Sequence, residues 1–178
     1  MEFKELWKLG KENGIQQIES EWKEVIDLVT EKDTVIEIGS YSGGSTFTLA
    51  EKAKEVISIE PKDRWSVGDY ENIKKFTANS KDCVEEVKEY LGRRKANVLI
   101  IDGDHSEKGV LTDYELYLPL VKKGGAIIFH DIVDSADHRR QLCYVSKAWE
   151  KIKDGKDVLE IIDNPTQNWA GIGIIFKD

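Results

Sequence analysis

This chain has almost no cysteine, no excess of positive charge and no long apolar run, and each absence narrows its class. The two cysteines, Cys83 and Cys143, lack Cys-x-x-Cys spacing and read as reduced, buried or half-buried thiols. Acidic side chains number 34 against 26 basic ones, a net charge of −8. That balance argues against broad nucleic-acid or anionic-membrane binding, both of which need a basic face. No apolar run approaches the ~20 residues of a membrane helix. The opening Met1-Glu2-Phe3-Lys4-Glu5 has no signal-peptide apolar segment, so a cytoplasmic location is expected. Internal repeats, low-complexity tracts and interdomain linkers are also missing. A single domain over 1–178 follows, with a helical segment at 1–32 and the core at 33–178.

What is present is an alternation of helical and extended patterns. Ile18, Trp22, Val25, Ile26 and Val29 recur at helical spacing and predict a helix over 15–29. Strands are predicted at 35–38, 55–60, 73–78, 97–102, 126–131, 158–162 and 172–176. Helices are predicted at 45–54, 81–91, 106–121 and 145–152, with Gly124-Gly125 capping the third of these. The runs at 97–101 and 126–129 are continuously apolar, as in strands covered on both faces. The expected architecture is α/β: a Rossmann-like, doubly wound, mostly parallel seven-stranded sheet with an antiparallel last strand and helices on both faces.

The chemistry gathers at the predicted strand ends. The first strand runs through Glu37 into the glycine-rich turn Gly39-Ser40-Tyr41-Ser42-Gly43-Gly44-Ser45, followed by a helix. Such turns let backbone approach a ligand closely. The turn lacks the Gly-Lys-Ser/Thr ending of a phosphate loop and the G-x-G-x-x-G spacing of the dinucleotide fingerprint. A carboxylate two residues before the first glycine would repel a pyrophosphate and suits a ligand bearing ammonium and hydroxyl groups. Glu60 ends the second strand about 20 residues later, where a carboxylate accepts hydrogen bonds from ribose. Ser80-Lys81-Asp82 follows the third strand, Asp102, Asp104 and His105 the fourth, and His130-Asp131 the fifth. Two carboxylates and an imidazole on adjacent strand ends suit a hard or borderline divalent cation: oxygen ligation favours Mg2+, Mn2+ or Ca2+, and the imidazole tilts the choice towards Mn2+ or Fe2+. His138, in the charged run Asp137-His138-Arg139-Arg140, is expected on a solvated face.

With those residues in hand, the chain resembles class I S-adenosylmethionine-dependent methyltransferases from about Asp33 to Phe176. The segments Ile101-Asp102-Gly103-Asp104-His105-Ser106 and His130-Asp131-Ile132 look like a small bacterial subgroup. That subgroup is related to metal-dependent O-methyltransferases of the catechol, caffeoyl-CoA and macrolide-sugar types. The resemblance implies that Gly39, Tyr41 and Ser45 line the methionine part of the donor, with Glu37 nearby and Ser40 and Gly43 in the same turn. It implies ribose binding by Glu60 and adenine flanked by Ser80 and Lys81, with Asp82 beside them. Asp102 and Asp104 complete the donor set. Asp102, His130 and Asp131 fall on the metal ligands, although position 130 carries a carboxylate in the relatives that bind metal. Asp102 and His105 are the catalytic candidates, His105 as the base; Lys108 is the nearest match to the lysine that catechol-type enzymes use.

The implied activity is methylation of a small-molecule hydroxyl using S-adenosylmethionine and Mg2+ or Mn2+, by a homodimer or a monomer. Metal-independent methylation of nitrogen or another acceptor with a histidine base remains open. So do a non-catalytic donor-binding module and a nicotinamide-dependent oxidoreductase, the last disfavoured by the glycine spacing. Any lid must come from 3–18, the loop carrying Trp65, or 135–143.

Overall fold

Val and Ile dominate the segments that pair into the sheet, because a branched Cβ fits a pleated, covered surface better than a helix. The computed structural model describes residues 1–178. In chain order the elements are α1 (Phe3–Glu12), α2 (Glu19–Leu28), β1 (Thr34–Ile38), α3 (Gly44–Ala50), β2 (Glu55–Ile59), β3 (Ile73–Phe76) and α4 (Ser80–Leu91). They continue with β4 (Ala96–Ile101), α5 (Glu107–Tyr117), a 3-10 turn (Leu118–Leu120), β5 (Val121–His130), α6 (Ala136–Arg140), α7 (Val145–Lys153), β6 (Val158–Ile161) and β7 (Ile172–Phe176). The sheet order is β3-β2-β1-β4-β5-β7-β6. β1 to β5 are parallel, and β7 runs antiparallel to both β5 and β6. This is the Rossmann-like architecture expected from the sequence. No helix is long and apolar enough to cross a membrane.

Side-chain alternation along the strands builds a core on each face of the sheet. Ile36 and Ile38 pack with Ile57, Leu99, Ile127 and Phe129 against α4, α5 and α7. Val35, Val56, Val98, Ile100 and Ile128 pack against α1, α2 and α3. Strand order reverses between β1 and β4, the switch point where ligands bind in open α/β sheets. There the Gly39 N–H donates to the Ile59 carbonyl and the Asp102 N–H to the Ile38 carbonyl, each at 2.9 Å. The carboxyl ends of β1, β2 and β4 are therefore fastened together just below the site.

Three elements differ from expectation. The first predicted helix begins only at Glu19, and residues 13–18 are a connection from α1, which its own amphipathic face holds on α3. The helix expected over 106–121 ends at Tyr117, because Pro119 supplies no N–H to continue it. Gly124 and Gly125 consequently lie inside β5, not at a helix cap: the Gly124 N–H donates to the Lys177 carbonyl at 2.7 Å and the Lys177 N–H to the Gly125 carbonyl at 2.9 Å. α6 was not expected; the Ser135 side chain starts it by accepting from the His138 N–H at 3.0 Å.

Glu21 of α2 is fully buried among apolar side chains, and its carboxylate is satisfied entirely by one loop. Oε1 accepts from the Asp163 N–H at 3.1 Å and Gln167 Nε2 at 2.8 Å, and Oε2 accepts from the Gly171 N–H at 3.0 Å. Removing it leaves the Asp163 and Gly171 N–H groups without a partner, since Gln167 Nε2 also donates to the Trp169 carbonyl at 2.8 Å, a loss of about 2 kcal/mol. Glu21→Ala should therefore lower the urea midpoint without changing the slope of the transition. An unchanged midpoint would mean that water replaces the carboxylate at no cost.

Candidate active site

The glycine turn is shaped first by backbone sterics. Gly39 has φ +90°, and a Cβ there would lie 2.0 Å from the Asp102 carbonyl oxygen, so no other residue fits between β1 and β4. Gly43, at φ +88°, starts α3 with its Cα against the Phe47 and Trp65 rings, which a Cβ would meet at 3.0 Å. Between these glycines, the Tyr41 N–H donates to Glu60 Oε2 at 3.0 Å, and the Lys62 N–H donates to Glu60 Oε1 at 3.1 Å. Glu60 is thus aimed by the ends of two strands.

Above the switch point lies a cavity of about 730 Å³, large enough for a nucleoside-sized ligand. Gly39, Ser40, Tyr41, Ser45, Glu60, Ser80, Lys81, Asp102, Asp104 and His105 line it, as does Lys108. Five candidates from the sequence stand outside that lining: Glu37, Gly43 and Asp82, and the two metal-ligand candidates His130 and Asp131. Glu37 is buried beneath the turn, where its Oε2 accepts from Thr46 Oγ1 and, at 3.4 Å, from Ser58 Oγ; burial pushes its pKa up to about 7. Gly43 faces aromatic rings instead of the cavity. Asp82 is turned to the α4 start, accepting from Asn79 Nδ2 at 2.7 Å. Ser80 donates to buried Asp113, whose carboxyl is pushed up to about 6 by burial and whose Oδ2 has no partner.

At the end of β4 and β5 the metal-ligand candidates converge. Asp102 Oδ1 lies 3.2 Å from His130 Nδ1 and 3.3 Å from His105 Nε2. His130 Nδ1 is 3.3 Å from Asp131 Oδ1, and His105 Nδ1 is 3.7 Å from Asp131 Oδ2, which closes a four-membered ring of side chains. One ligand atom each from Asp102, His130 and Asp131 falls within 4.8 Å of the others, and the same holds for His105, Asp131 and Cys143. Asp131 adopts φ +65°, which turns the chain out of β5 and brings its carboxylate back over the site. His130 Nε2 is buried without a partner.

Electrostatics couples these groups. Burial pushes the Asp102 and Asp131 carboxyls up, but the adjacent imidazoles more than offset it and hold both below the usual range. His130 shows the converse: burial lowers its pKa, and the two carboxylates raise it well above the ordinary value. The hydrogen bond to Asp102 raises His105, which remains 41% exposed on the cavity side.

His138 corrects the expectation of a solvated face, because only its neighbours in that charged run are exposed. It is buried, with Nδ1 2.7 Å from the Val133 carbonyl and Nε2 accepting from the Ala170 N–H at 3.2 Å, 3.3 Å from Asp131 Oδ1. The sequence reading also missed Gln17, whose Nε2 donates to Asp102 Oδ2 at 2.9 Å, and Arg64, whose guanidinium sits 4.3 Å over the Tyr41 ring. Neither carries a local pattern, although both fall in or beside segments named as lids. The Trp65 loop does close on the turn, with Trp65 Nε1 donating to Ser40 Oγ at 3.2 Å.

Residues 36–132, more than half of the chain, match the model of a family described as a methyltransferase domain. The chain belongs to this methyltransferase family. That match sets aside the nicotinamide reading. The chain is 33% identical over 144 residues to an uncharacterized protein of Acanthamoeba polyphaga mimivirus, a match covering 71% of it. The chain spans 64% of the length of that curated relative. Among solved structures, it resembles the O-methyltransferase from Bacillus cereus in complex with SAH, at TM-score 0.67 and 16% identity, covering 98% of this chain and 90% of that one. Cofactor-bound Rv0187 from MTB gives TM-score 0.72 at 15% identity, covering 99% and 88%. The N-methyltransferase NodS from Bradyrhizobium japonicum gives 0.58 at 12%, covering 98% and 93%. The chain thus shares its fold with these structures.

The ring makes stability depend on pH. His105 and His130 have folded pKa values above the ordinary 6.5, so their contribution is complete below about pH 6.5 and disappears as pH rises through the folded values. Glu37 acts in the same direction only up to about pH 7, and the buried thiols only near pH 9. In excess EDTA, the melting temperature should therefore fall as pH rises above about 7, by about 3–5 °C for each pKa unit of elevation. His130→Gln should flatten the curve. A wild-type curve already flat in this window would contradict charged histidines in the ring.

Proposed function

We propose that this methyltransferase transfers the methyl group of S-adenosylmethionine to a hydroxyl oxygen of a polar small molecule, assisted by a divalent cation at Asp102, His130 and Asp131. The observation that carries the reading is the closed Asp102–His105–His130–Asp131 ring, two members of which, Asp102 and His105, line one cavity with the glycine turn and Glu60. The residues present fit the donor. Glu60 has both oxygens oriented by backbone N–H groups toward a cavity of nucleoside size, and the donor of the Bacillus cereus relative is represented by its product SAH. They also fit a cation: two carboxylates and an imidazole nitrogen lie within 4.8 Å of one another.

When bound, the donor supplies an electrophilic methyl on a good leaving group, and the cation supplies Lewis acidity at the acceptor hydroxyl. The chain's own contribution is orientation and proton transfer. Glu60 accepts from ribose hydroxyls. Asp102, rooted at the switch point, stands between the donor turn and the imidazoles. His105 is the exposed member of the ring, able to take the hydroxyl proton once neutral. Tyr41 is the one aromatic residue of Phe, Tyr or Trp type in the lining, which supports a polar, hydroxylated acceptor over a flat phenol. The oxygen acceptor rests on these side chains, since an N-methyltransferase has the same fold.

Isothermal titration tests both halves of the reading. S-adenosylhomocysteine should bind and NAD should not. Mn2+ should bind with release of protons at neutral pH, because His130 must give up its proton to ligate, and Asp102→Ala should weaken Mn2+ at least about tenfold. No binding of the homocysteine product to folded protein would refute the donor. Binding of the product without Mn2+ would leave the metal-free reading, in which His105 acts as base without a cation.

A further inference from the structure

The roof of the cavity comes from outside the sheet. Residues 13–18 connect α1 to α2, and Gly14, Ile15, Gln16 and Gln17 line the same cavity as Asp102. This connection is fastened across the glycine turn. Ser42 Oγ donates to the Asn13 carbonyl at 2.8 Å, and the bare Cα of Gly44 lets the chain approach so closely that a Cβ would lie 2.5 Å from the Ile15 nitrogen. From this anchor Gln17 reaches Asp102, 85 positions away, and donates from Nε2 to Oδ2 at 2.9 Å. The Gln17 amide is held at its other end as well, since Oε1 accepts from the Gln16 N–H at 3.2 Å. Asp102 Oδ1 is left for His105 and His130. The two oxygens of one carboxylate are thereby sorted, one to the roof and one to the imidazoles.

We propose that Gln17 is a positioning residue of the active site: through its amide, the α1–α2 connection fixes the Asp102 carboxylate and closes the donor cavity. The proposal rests on the donor reading above. A carboxylate at a strand end rotates about its last bond unless both oxygens are engaged, and a hydrogen bond to a charged group is the strong kind. Loss of the Gln17 amide frees Asp102 and unlatches the roof together, so a ligand enclosed between them binds less well.

The test is titration of S-adenosylhomocysteine into the full chain in excess EDTA, with Gln17→Ala and Gln17→Glu beside the wild type. Gln17→Ala should weaken binding about tenfold, the usual range for one charge-assisted hydrogen bond. Its melting temperature without ligand should stay within about 3 °C of the wild type. Gln17→Glu keeps the shape and replaces the donor by a second carboxylate, so it should bind more weakly than Gln17→Ala. A side chain that only filled the roof would give the reverse order, with the isosteric Glu close to wild type. An affinity of Gln17→Ala within about twofold of wild type, or Gln17→Glu no weaker than Gln17→Ala, overturns the proposal. Wild-type protein that does not bind S-adenosylhomocysteine at all would instead refute the donor reading, and this proposal with it.

Discussion

The contact between Gly39 and the Asp102 carbonyl is the constraint on which the rest of the site depends. Two parallel strands separate at their carboxyl ends only if their connections leave on opposite faces, and this happens between β1 and β4. The gap must still be closed by backbone, because a side chain between the strands would move Asp102 out of the cavity wall. A Cβ at Gly39 would sit 2.0 Å from that carbonyl oxygen. The absence of that one atom lets the turn carrying Tyr41 and Ser45 share a cavity with Asp102 and His105. It also leaves Glu60 within reach of the Tyr41 N–H.

Concentrating so much charge at one sheet edge has a physical cost that the structure meets by pairing. Asp131 and His130 are nearly buried, and an isolated ionised group there would be expelled or neutralised. Instead every carboxylate of the ring faces at least one imidazole, and the Asp102 Oδ2 left over is taken by Gln17. Glu37, one layer below, is handled differently. Hydroxyls of Thr46 and Ser58 satisfy it, yet burial still pushes its pKa to about 7, so its charge is much less secure than that of Asp102.

How much of this was legible in the sequence depended on whether a residue's partner was local. The strands and their doubly wound, mostly parallel arrangement followed from continuous apolar runs and short connections, signals contained within about ten residues. Asp102, His105, His130 and Asp131 could be grouped beforehand because strand ends in a parallel sheet share an edge. Gln17 could not: its bond to Asp102 depends on Ser42 and Gly44 holding residues 13–15, and no spacing records that. Gly124-Gly125 misled because glycine after a helical run ordinarily marks its end, whereas here Gly125 meets Asn97 of β4 at a distance no side chain allows. His138 misled because its neighbours Arg139 and Arg140 are exposed while it alone turns inward to Val133 and Ala170.

The histidine at position 130 deserves a separate argument, since it decides what the site is when no cation is bound. Three carboxylates at 102, 130 and 131 would repel one another at these separations, and either a cation or protonation would be needed to hold them. With an imidazole between Asp102 and Asp131, a single proton on Nδ1 bridges both carboxylates at 3.2 and 3.3 Å. The imidazole thus holds the two carboxylates together, with one ligand atom from each of the three residues within 4.8 Å of the others. In the proposed reading a cation would compete with that proton for the same nitrogen, so its affinity would rise as the imidazole loses the proton. His105 flanks Asp131 as well, its Nδ1 3.7 Å from Oδ2, so in the proposed reading the same competition would extend to a second imidazole.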